Sequence, residues 1–388
     1  MYEKPRWAKR VKTAVPKVGA NDLSAKEVEQ TFKCARCGLC MMACPLFGET
    51  GREAMCARGR VQLLRALIEG DLELTGNLRD KIYACLGCNA CNQHCPSGVN
   101  LEELMQEARA VLRAKGVELP SLQEALRGNL AGDGNPFGEK RGERGAWLPE
   151  DRRAPRASET CVHAGCAISY ANTRTGRMVL RILEKAGADF TLMGSEEECC
   201  GDPLVRLGET RLARELQERN KARFRRYGVK RIVTPCAGCI KSFRRYYPEF
   251  ESLHIVEWIA QLIRDGKLKP SRPVVKKVIY FDGCDIGRHL SIYEPPREIL
   301  RAIPGLTLLE FPKNREFAQC CGGPMMSNDP LMAKNIAAKR VREALAAGAE
   351  IIAPACPTCF IALRDGAKHI NQRMDVQDVV SLLFKSLT

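Results

Sequence analysis

The spacing of its cysteines constrains this chain more than any other feature of the sequence. Twenty of the 388 residues are cysteine, and all but Cys56 and Cys161 fall into spaced motifs. A chain of this length is too long for a small disulfide-stapled module. The N-terminal residues lack the apolar stretch of a signal peptide, so we expect a cytoplasmic protein. In that compartment, clustered cysteines favour metal binding over disulfides.

Two cysteine runs near the N-terminus share the spacing C-x2-C-x2-C-x3-C-P. This spacing is typical of bacterial two-cluster ferredoxins, in which three close thiolates bind one [4Fe–4S] cubane and the fourth reaches the other. Zinc sites typically use two pairs with a longer spacer, not runs of four. We assign to one cubane Cys34, Cys37, Cys40 and Cys95. We assign to the second Cys85, Cys88, Cys91 and Cys44. Cys56 lies outside both runs and is interpreted as a buried small residue.

The C-terminal part of the chain contains a second cysteine pattern, which occurs twice. Each copy has one cysteine after a glycine, an adjacent pair followed by glycine, and a C-x-x-C. The first set is Cys166, Cys199, Cys200, Cys236 and Cys239. The second set is Cys284, Cys320, Cys321, Cys356 and Cys359. Corresponding cysteines are much further apart than the repeats of a solenoid, which favours two domains over a stack.

Predicted strands and helices alternate within each copy. In the second copy the segments 276–281, 306–311 and 350–356 have the pattern of strands. In the first copy the segments 189–194 and 229–236 have it, and helical patterns separate the strands of both copies. Alternation of this kind predicts a parallel, doubly wound sheet. In such sheets ligands bind beyond the carboxyl ends of the strands, where the cysteines of both copies are expected. The predicted fold is therefore α+β and α/β: a largely helical ferredoxin domain, then two Rossmann-like α/β domains.

Each set offers more thiols than the four terminal ligands of a cubane. Two adjacent thiolates cannot easily reach separate irons of a compact cubane, but they could bind a more open cluster. Four glycines beside the cysteines are candidate cofactor-binding positions, because glycine lets the backbone turn tightly there. These glycines are Gly165, Gly201, Gly283 and Gly322.

These motifs resemble the duplicated CCG domain of heterodisulfide reductases. The order of the units, a ferredoxin part and then two CCG units, is similar to the D subunit of those enzymes. It also resembles the iron–sulfur subunits of glycolate and lactate oxidases and of anaerobic glycerol-3-phosphate dehydrogenase. The resemblance implies a noncubane [4Fe–4S] cluster at each complete five-cysteine set, with a disulfide cleaved between the two. We therefore expect two cubanes and one or two noncubane clusters.

The motifs and composition together give a domain organisation. A segment rich in glycine, proline and charge follows the ferredoxin motifs and is interpreted as an exposed linker. The predicted units are a basic arm at 1–30, the ferredoxin domain at 31–115, the linker at 116–157, and CCG domains at 158–270 and 271–388.

The remaining sequence features concern partners. The formal charge is +15, but the basic residues form no tract with interleaved aromatics, and anionic clusters would lower the charge, so nucleic acid is not expected. No strand precedes the glycine-rich stretch of the linker, so we expect no flavin on this chain. Without a long apolar run, no direct membrane span is expected. Flavoprotein or membrane cytochrome-type subunits would then be partners, the latter placing the chain at the inner membrane face.

Two functions are compatible with these features. One is the reduction or formation of a small-molecule disulfide or thiol by one component of a larger complex. The other is an electron conduit from a flavoprotein dehydrogenase to a quinone or a membrane partner. Weak candidates for a proton donor are His163, Asp282, Asp285 and His289. The alternative interpretation is that they are ordinary polar residues at strand ends.

Overall fold

The computed structural model describes residues 18–387, so most of the basic arm predicted for residues 1–30 lies outside the described residues. Within the described part, no helix is long and apolar enough to cross a membrane. The helices are α1 (Ala25–Lys33), α2 (Leu39–Ala43), α3 (Pro45–Thr50), α4 (Ala57–Glu69), α5 (Gly76–Tyr83), α6 (Leu101–Ala114), α7 (Ser121–Gly132), α8 (Cys166–Ala171), α9 (Thr173–Lys185), α10 (Asp202–Leu207), α11 (Thr210–Arg226), α12 (Ala237–Tyr246), α13 (Ile255–Arg264), α14 (Glu294–Arg301), α15 (Pro330–Ala346), α16 (Pro357–His369) and α17 (Val379–Leu387). The strands are β1 (Thr160–Val162), β2 (Arg231–Thr234), β3 (Glu251–His254), β4 (Lys276–Phe281), β5 (Leu306–Glu310), β6 (Ile351–Pro354) and β7 (Asp375–Val376).

The N-terminal domain is a small helical bundle whose connecting segments carry the two cysteine runs. Helices α1, α4, α5 and α6 pack around Leu64, Ile82 and Leu104, which are buried. Helix α4 is the longest of the three α-helices between the two runs, and it ends where Gly70 adopts a φ of 84°. Glycine is favoured at such a left-handed helix end because it has no Cβ to clash. The bundle thus holds the two runs at a fixed separation.

The C-terminal half contains two parallel sheets with the same strand order. The first is β1-β2-β3 and the second is β5-β4-β6-β7. All of their strand pairs are parallel. In the first sheet Thr191 forms a single parallel bridge with Cys161 of β1. Thr191 therefore lies beside β1 in the same way that β5 lies beside β4 in the second sheet. The duplicated, parallel α/β fold predicted from the alternating pattern is confirmed.

One predicted strand of the first unit is reduced to that bridge. The segment 189–194 has a strand-like pattern, but only Thr191 pairs with β1. The segment before β1 also contacts this stretch: the Arg156 amide donates to Thr191 Oγ1 (3.0 Å), and the Arg156 guanidinium donates to the Phe190 carbonyl (2.8 Å).

The stretch 116–157, predicted to be an exposed linker, is instead packed onto the first CCG unit. It contains α7, whose Leu130 is buried, and it buries Trp147 and Leu148 in the core shared by the two sheets. A Cβ at Gly176 would lie only 2.8 Å from the Trp147 ring, so that glycine makes room for it. The composition of this stretch is mainly polar, so composition did not indicate that its few apolar residues are buried.

Helix α17 begins at a buried carboxylate. Asp378 accepts the backbone N–H of Val380 (2.9 Å) and is 4% exposed. An acceptor at the start of a helix satisfies an amide that would otherwise lack a partner. Burial also disfavours the charged form and raises the pKa of Asp378 from 3.8 to about 7. Burial therefore favours the neutral carboxyl group and outweighs the amide hydrogen bond, which favours the carboxylate.

We expect the stability of the protein to fall as the pH rises through this range because of Asp378. The unfolded carboxyl ionises near pH 3.8 and the folded one near 7, so its stabilising effect is full below about pH 4 and is lost above about pH 7. Asp378→Asn keeps an oxygen acceptor and removes the charge. Its gain in unfolding free energy should be larger at pH 9 than at pH 5 by ~2–3 kcal/mol. Thermal melts at both pH values measure this.

The matched control for that prediction is Asp375→Asn, three residues earlier on β7, where the side chain is exposed. It should change the melting temperature equally at pH 5 and pH 9. Equal effects of Asp378→Asn at the two pH values would contradict the prediction.

Candidate functional site

The two five-cysteine sets lie at the carboxyl ends of the two parallel sheets and open into one cavity. Its volume is about 500 Å³. Parallel strands bring their carboxyl ends to one edge, so residues that follow different strands meet there. Cys166 follows β1, Cys236 follows β2, Cys284 follows β4 and Cys356 follows β6. The cysteines of the two sets that line the cavity are Cys166, Cys199, Cys200, Cys236, Cys239, Cys284, Cys321, Cys356 and Cys359.

Within each set the thiols contact one another in the same order. All ten are buried. In the first set the order is Cys166, Cys199, Cys200, Cys239, Cys236. In the second set it is Cys284, Cys320, Cys321, Cys359, Cys356, with 3.3 Å between the sulfurs of Cys321 and Cys359. Cysteine thiolates are the ligands of iron–sulfur clusters, so the donor set fits such a group. Within residues 18–387, no three His, Cys, Asp or Glu are grouped around a position for a single metal ion.

Two of the candidate glycines lie where a side chain would be strained and would meet a close neighbour. Gly165 has a φ of +79°, and a Cβ there would lie 3.0 Å from Cys239 Sγ. Gly322 has a φ of +81°, and its Cβ would meet the Ala333 carbonyl at 2.9 Å. A larger residue at either position would therefore be strained and would displace its neighbour. The other two glycines, Gly201 and Gly283, also lie beside their sets. A Cβ at Gly283 would lie 3.4 Å from the sulfur of Cys359.

The adjacent pair of the first set is anchored through its backbone. The Asn220 side-chain amide donates to the Cys199 carbonyl (2.8 Å). The hydroxyls of Ser242 and Tyr247 donate to the Cys200 carbonyl (2.8 and 3.1 Å). Because these three groups come from α11 and α12 and from the residue that ends α12, the two thiols are held by packed helices.

The first set has a cationic neighbour that the sequence did not reveal. Arg144 is buried and donates from two nitrogens to Cys166 Sγ (3.4 and 3.5 Å). Glu197 holds the guanidinium (2.8 Å) and also accepts the backbone N–H groups of Ala164 and Gly165. An arginine at this distance stabilises negative charge on the sulfur. Arg144 lies in the stretch expected to be a linker, and no sequence signal singled it out.

The second set contacts the ferredoxin domain directly. The thiol of Cys88, from the second N-terminal run, lies against that of Cys320. Arg288 clamps the interface: its guanidinium donates to the Cys88 carbonyl (2.7 Å) and to the Ala318 carbonyl. His289 donates from Nε2 to the Gly87 carbonyl (2.9 Å). The second N-terminal run is therefore docked on the second unit.

The thiols of the N-terminal runs approach one another across the domain. Cys44 is close enough to Cys85 and Cys88 to feel their charge, and burial raises the pKa of Cys44 to about 11. Cys37 is exposed, and Cys40 contacts Cys56. Cys56 was expected to be a buried small residue and is buried, but its thiol also lies beside a predicted cubane ligand.

A cluster of charges borders the cavity where the three domains meet. Arg206 binds Asp202 (2.6 Å) and both oxygens of Asp285 (2.8 Å). Lys241 Nζ lies 3.3 Å from Asp202 and 3.4 Å from Asp285. Burial alone would raise the pKa of Asp285, but the two cations hold it well below its ordinary value. Asp285, one of the proton-donor candidates, lines the cavity. It is a carboxylate at neutral pH and therefore cannot donate a proton.

The other three proton-donor candidates lie away from the cavity wall. His163 packs edge-on against Phe243, with 4.9 Å between ring centres, and burial lowers the pKa of its imidazole. Asp282 is bound by both terminal nitrogens of Arg297 (2.8 Å each). His289 is committed to the ferredoxin interface described above. Of the four candidates, the structure brings Asp285 and His289 together, with 3.8 Å between Asp285 Oδ1 and His289 Nε2, and leaves His163 and Asp282 apart from them.

Comparison with known proteins adds to this geometry. The sequence matches a family described as a cysteine-rich domain (CCG) at residues 160–244 and again at 278–364. It matches a 4Fe-4S dicluster domain at residues 30–99. A solved structure, a hypothetical protein from Helicobacter pylori, has the same fold with a TM-score of 0.57 at 12% identity, covering 94% of this chain and 73% of that one.

Curated relatives are similar over most of the chain. The D subunit of dihydromethanophenazine:CoB--CoM heterodisulfide reductase of Methanosarcina acetivorans is 30% identical, over 96% of this chain and 98% of the relative. EtfAB:quinone oxidoreductase of Syntrophomonas wolfei is 32% identical, over 79% of this chain and 47% of the relative. The B subunit of fumarate reductase (CoM/CoB) of Methanothermobacter marburgensis is 26% identical, over 89% and 71%. With its dicluster motifs, duplicated cysteine-rich units and near full-length similarity, the chain belongs to the iron–sulfur oxidoreductase family that includes the D subunit of heterodisulfide reductase.

Proposed function

We propose that this chain passes electrons through two [4Fe–4S] cubanes to two noncubane [4Fe–4S] clusters, which reduce or form a disulfide. The observation that carries the proposal is the shared cavity: all five thiols of the first set and four of the second, without Cys320, line it. A disulfide has two sulfur atoms, and two facing cluster sites would serve one sulfur each. The proposed ligands are the eight cysteines of the N-terminal runs and the ten of the two sets.

The overall reaction balances with simple partners. Reduction breaks one S–S bond and consumes two electrons and two protons to give two thiols; the reverse forms the disulfide. The bound clusters supply one-electron transfer and iron sites for sulfur. The chain's own residues hold the cysteines, and Arg144 stabilises negative charge at Cys166. We infer that the protons come from solvent, because the cavity-lining Asp285 is paired with Arg206 (2.8 Å) and Lys241 (3.4 Å) as a carboxylate.

The contact between Cys88 and Cys320 supports an order for the electron path. Cys88 is a proposed cubane ligand, and Cys320 is a proposed ligand of the second set. Among residues 18–387, no N-terminal-run thiol contacts the first set in this way, and Cys166 of that set faces Arg144 instead. We infer that electrons from the ferredoxin domain enter at the second set and reach the first set across the cavity.

A second candidate function is an electron conduit without disulfide chemistry. The observation that favours it is the exposed Cys37 of the first N-terminal run, which places a proposed cubane at the surface, where a partner could dock. A flavoprotein or a membrane cytochrome-type subunit would then exchange electrons there, and the membrane partner would place the chain at the inner face. In this case the cavity would need no substrate.

Iron content and electron paramagnetic resonance distinguish the two functions. Anaerobically purified protein should contain about 16 irons, four for each of two cubanes and two noncubane clusters. An oxidised sample should give a paramagnetic signal that changes when a thiol is added. About eight irons, with signals from reduced cubanes alone, would favour the conduit.

Substitution of single cysteines tests the proposed ligand sets. Cys200→Ser and Cys321→Ser should each lose about four irons, because each removes a central member of one set. Cys161→Ser is the matched control: Cys161 is buried on β1 of the first unit but belongs to neither set, so the iron count should stay unchanged. Full iron content in both set variants would contradict the assignment. Iron is measured by colorimetric assay on correctly folded protein.

Removing the charge at Arg144 should lower the reduction potential of one cluster. The guanidinium favours the more negative, reduced state, so Arg144→Gln should shift one midpoint downward by on the order of 50 mV. Arg156→Gln removes a surface arginine of the same unit, paired with Asp189, and should shift none. Redox titration followed by electron paramagnetic resonance measures the midpoints. Equal midpoints in wild type and Arg144→Gln would show that the contact does not affect the cluster.

A further inference from the structure

A second cavity, in the ferredoxin domain, is lined by the four cysteines that are proposed to bind the second cubane. These are Cys44, Cys85, Cys88 and Cys91, and the side chain of Arg60 lies on the same lining. We call this space the ferredoxin cavity. Arg60 belongs to α4, is 1% exposed and lies close enough to Cys44 and Cys91 to act on both electrostatically. A buried guanidinium therefore faces the proposed site of the second cubane.

Two of the three guanidinium nitrogens of Arg60 have backbone partners, and the third is free. Nε donates to the Lys81 carbonyl (2.7 Å), and Nη1 donates to the Met55 carbonyl. Nη2 is buried and has no hydrogen-bond partner among the described residues. A buried donor without a partner is costly and rare in folded proteins. The free nitrogen therefore fits an acceptor bound in the ferredoxin cavity.

The positive charge of Arg60 is also unpaired. Among residues 18–387, no carboxylate forms an ion pair with it. Glu102 also lines the ferredoxin cavity, but its carboxylate accepts a hydrogen bond from Gln106. The same carboxylate lies 3.9 Å from the side-chain nitrogens of Lys241 and Arg245. A buried cation requires negative charge nearby, and a cluster held by four thiolates is anionic and presents sulfur acceptors, so the residues present fit this group.

Two further buried arginines donate to the backbone of the second run. Arg109 Nη2 donates to the Cys85 carbonyl (2.7 Å), and Arg288 Nε donates to the Cys88 carbonyl (2.7 Å). Both arginines are less than a tenth exposed. With Arg60, three guanidinium groups therefore surround the proposed second cubane, and that of Arg60 has a nitrogen free to contact it.

The first run has a different electrostatic environment. Arg58, two residues before Arg60 on α4, donates to the Arg36 carbonyl (3.1 Å) and is paired with Glu53 (2.6 Å). Cys37 of the same run is exposed, so water screens charges near it. The cation beside the first run is therefore neutralised and partly hydrated, whereas the cations beside the second run are buried.

Burial and the three cations have opposite effects on the reduction of the second cubane. Reduction adds one negative charge, which burial disfavours because hydration is lost. Nearby cations and hydrogen bonds to the cluster sulfurs favour the added charge. Charges interact more strongly in the protein interior than at the surface, where the first run is exposed. Since three guanidinium groups act on one added charge, we expect the cations to outweigh burial.

We propose that Arg60 Nη2 donates to a sulfur of the second cubane and raises the reduction potential of this cubane above that of the first. Electrons that arrive at the first run then pass to the second run and onward through Cys88 toward Cys320. One electron moves at a time, from the reduced first cubane to the oxidised second one, and no bond forms or breaks. This proposal rests on the proposed function, because it assumes both cubanes, and it gives the electron path its direction.

Redox titration of Arg60→Gln tests the proposal. Full-length, cluster-loaded protein is reduced anaerobically with dithionite in the presence of mediators, and electron paramagnetic resonance follows each cubane. Reduction of the second cubane should become at least about tenfold less favourable, which for one electron lowers its midpoint by about 59 mV, while the other cubane midpoint stays unchanged. Arg60→Lys keeps the charge and should recover most of the midpoint, which separates the effect of charge from that of loosened packing.

The matched control is Arg65→Gln on the same helix. Arg65 is paired with Glu69 (3.0 Å) at the surface, and it does not line the ferredoxin cavity, so its loss should shift neither midpoint. Cys34→Ala identifies the signals, because it should remove the first cubane and about four irons. The cubane signal that remains in this variant should have the higher of the two wild-type midpoints.

Two results would overturn the proposal. One is an unchanged midpoint of the second cubane in Arg60→Gln with full iron content, and the other is a lower midpoint for the cubane that remains in Cys34→Ala. The second result does not depend on the folding of the Arg60 variants. A wild-type protein that lacks one of the cubanes would instead refute the proposed function. Because the midpoints are measured without a disulfide, a failure of disulfide reduction would leave the effect of Arg60 intact.

Discussion

The burial of ten thiols around a single cavity is the constraint on which the rest of the structure depends. Thiolates that bind iron carry negative charge, and negative charge away from water must be balanced nearby. The protein meets this requirement from outside the sets, with Arg144 beside the first and Arg288 beside the second. The segment 116–157 therefore does more than connect the ferredoxin domain to the sheets, because it supplies the cation that faces the first set.

Duplication explains the order of the thiols, and divergence explains their surroundings. The strand orders of the two sheets correspond, so the five cysteines meet in the same sequence of contacts in each. The neighbours differ because the ferredoxin domain contacts the two units through different residues. Its Cys88 meets Cys320 of the second set, whereas on the first unit Arg113 pairs with Glu209 (2.7 Å). The first set is left to Arg144, and this gives the cavity two unlike ends.

Sequence reasoning predicted the fold and the convergence of the cysteines because both follow from local rules. Alternating strands and helices imply parallel sheets, and residues after parallel strands must share an edge. Sequence reasoning did not identify Arg144 or Arg109, because they contact residues that are distant in the sequence, and such contacts produce no periodic pattern. It also took 116–157 for a linker, although Leu122, Leu126 and Leu130 recur at helical spacing within it. Polar composition outweighed that pattern.

The net charge of the chain and the character of its cavity are separate properties. A formal charge of +15 suggests an acidic ligand if all basic residues are counted alike. The arginines that line the cavity between the two sets, Arg109 and Arg206, are instead bound to carboxylates and carbonyls. Hydrogen-bond saturation, rather than residue type, decides whether an arginine is available for binding. The net charge of the sequence therefore does not describe the cavity, because both arginines on its lining are paired.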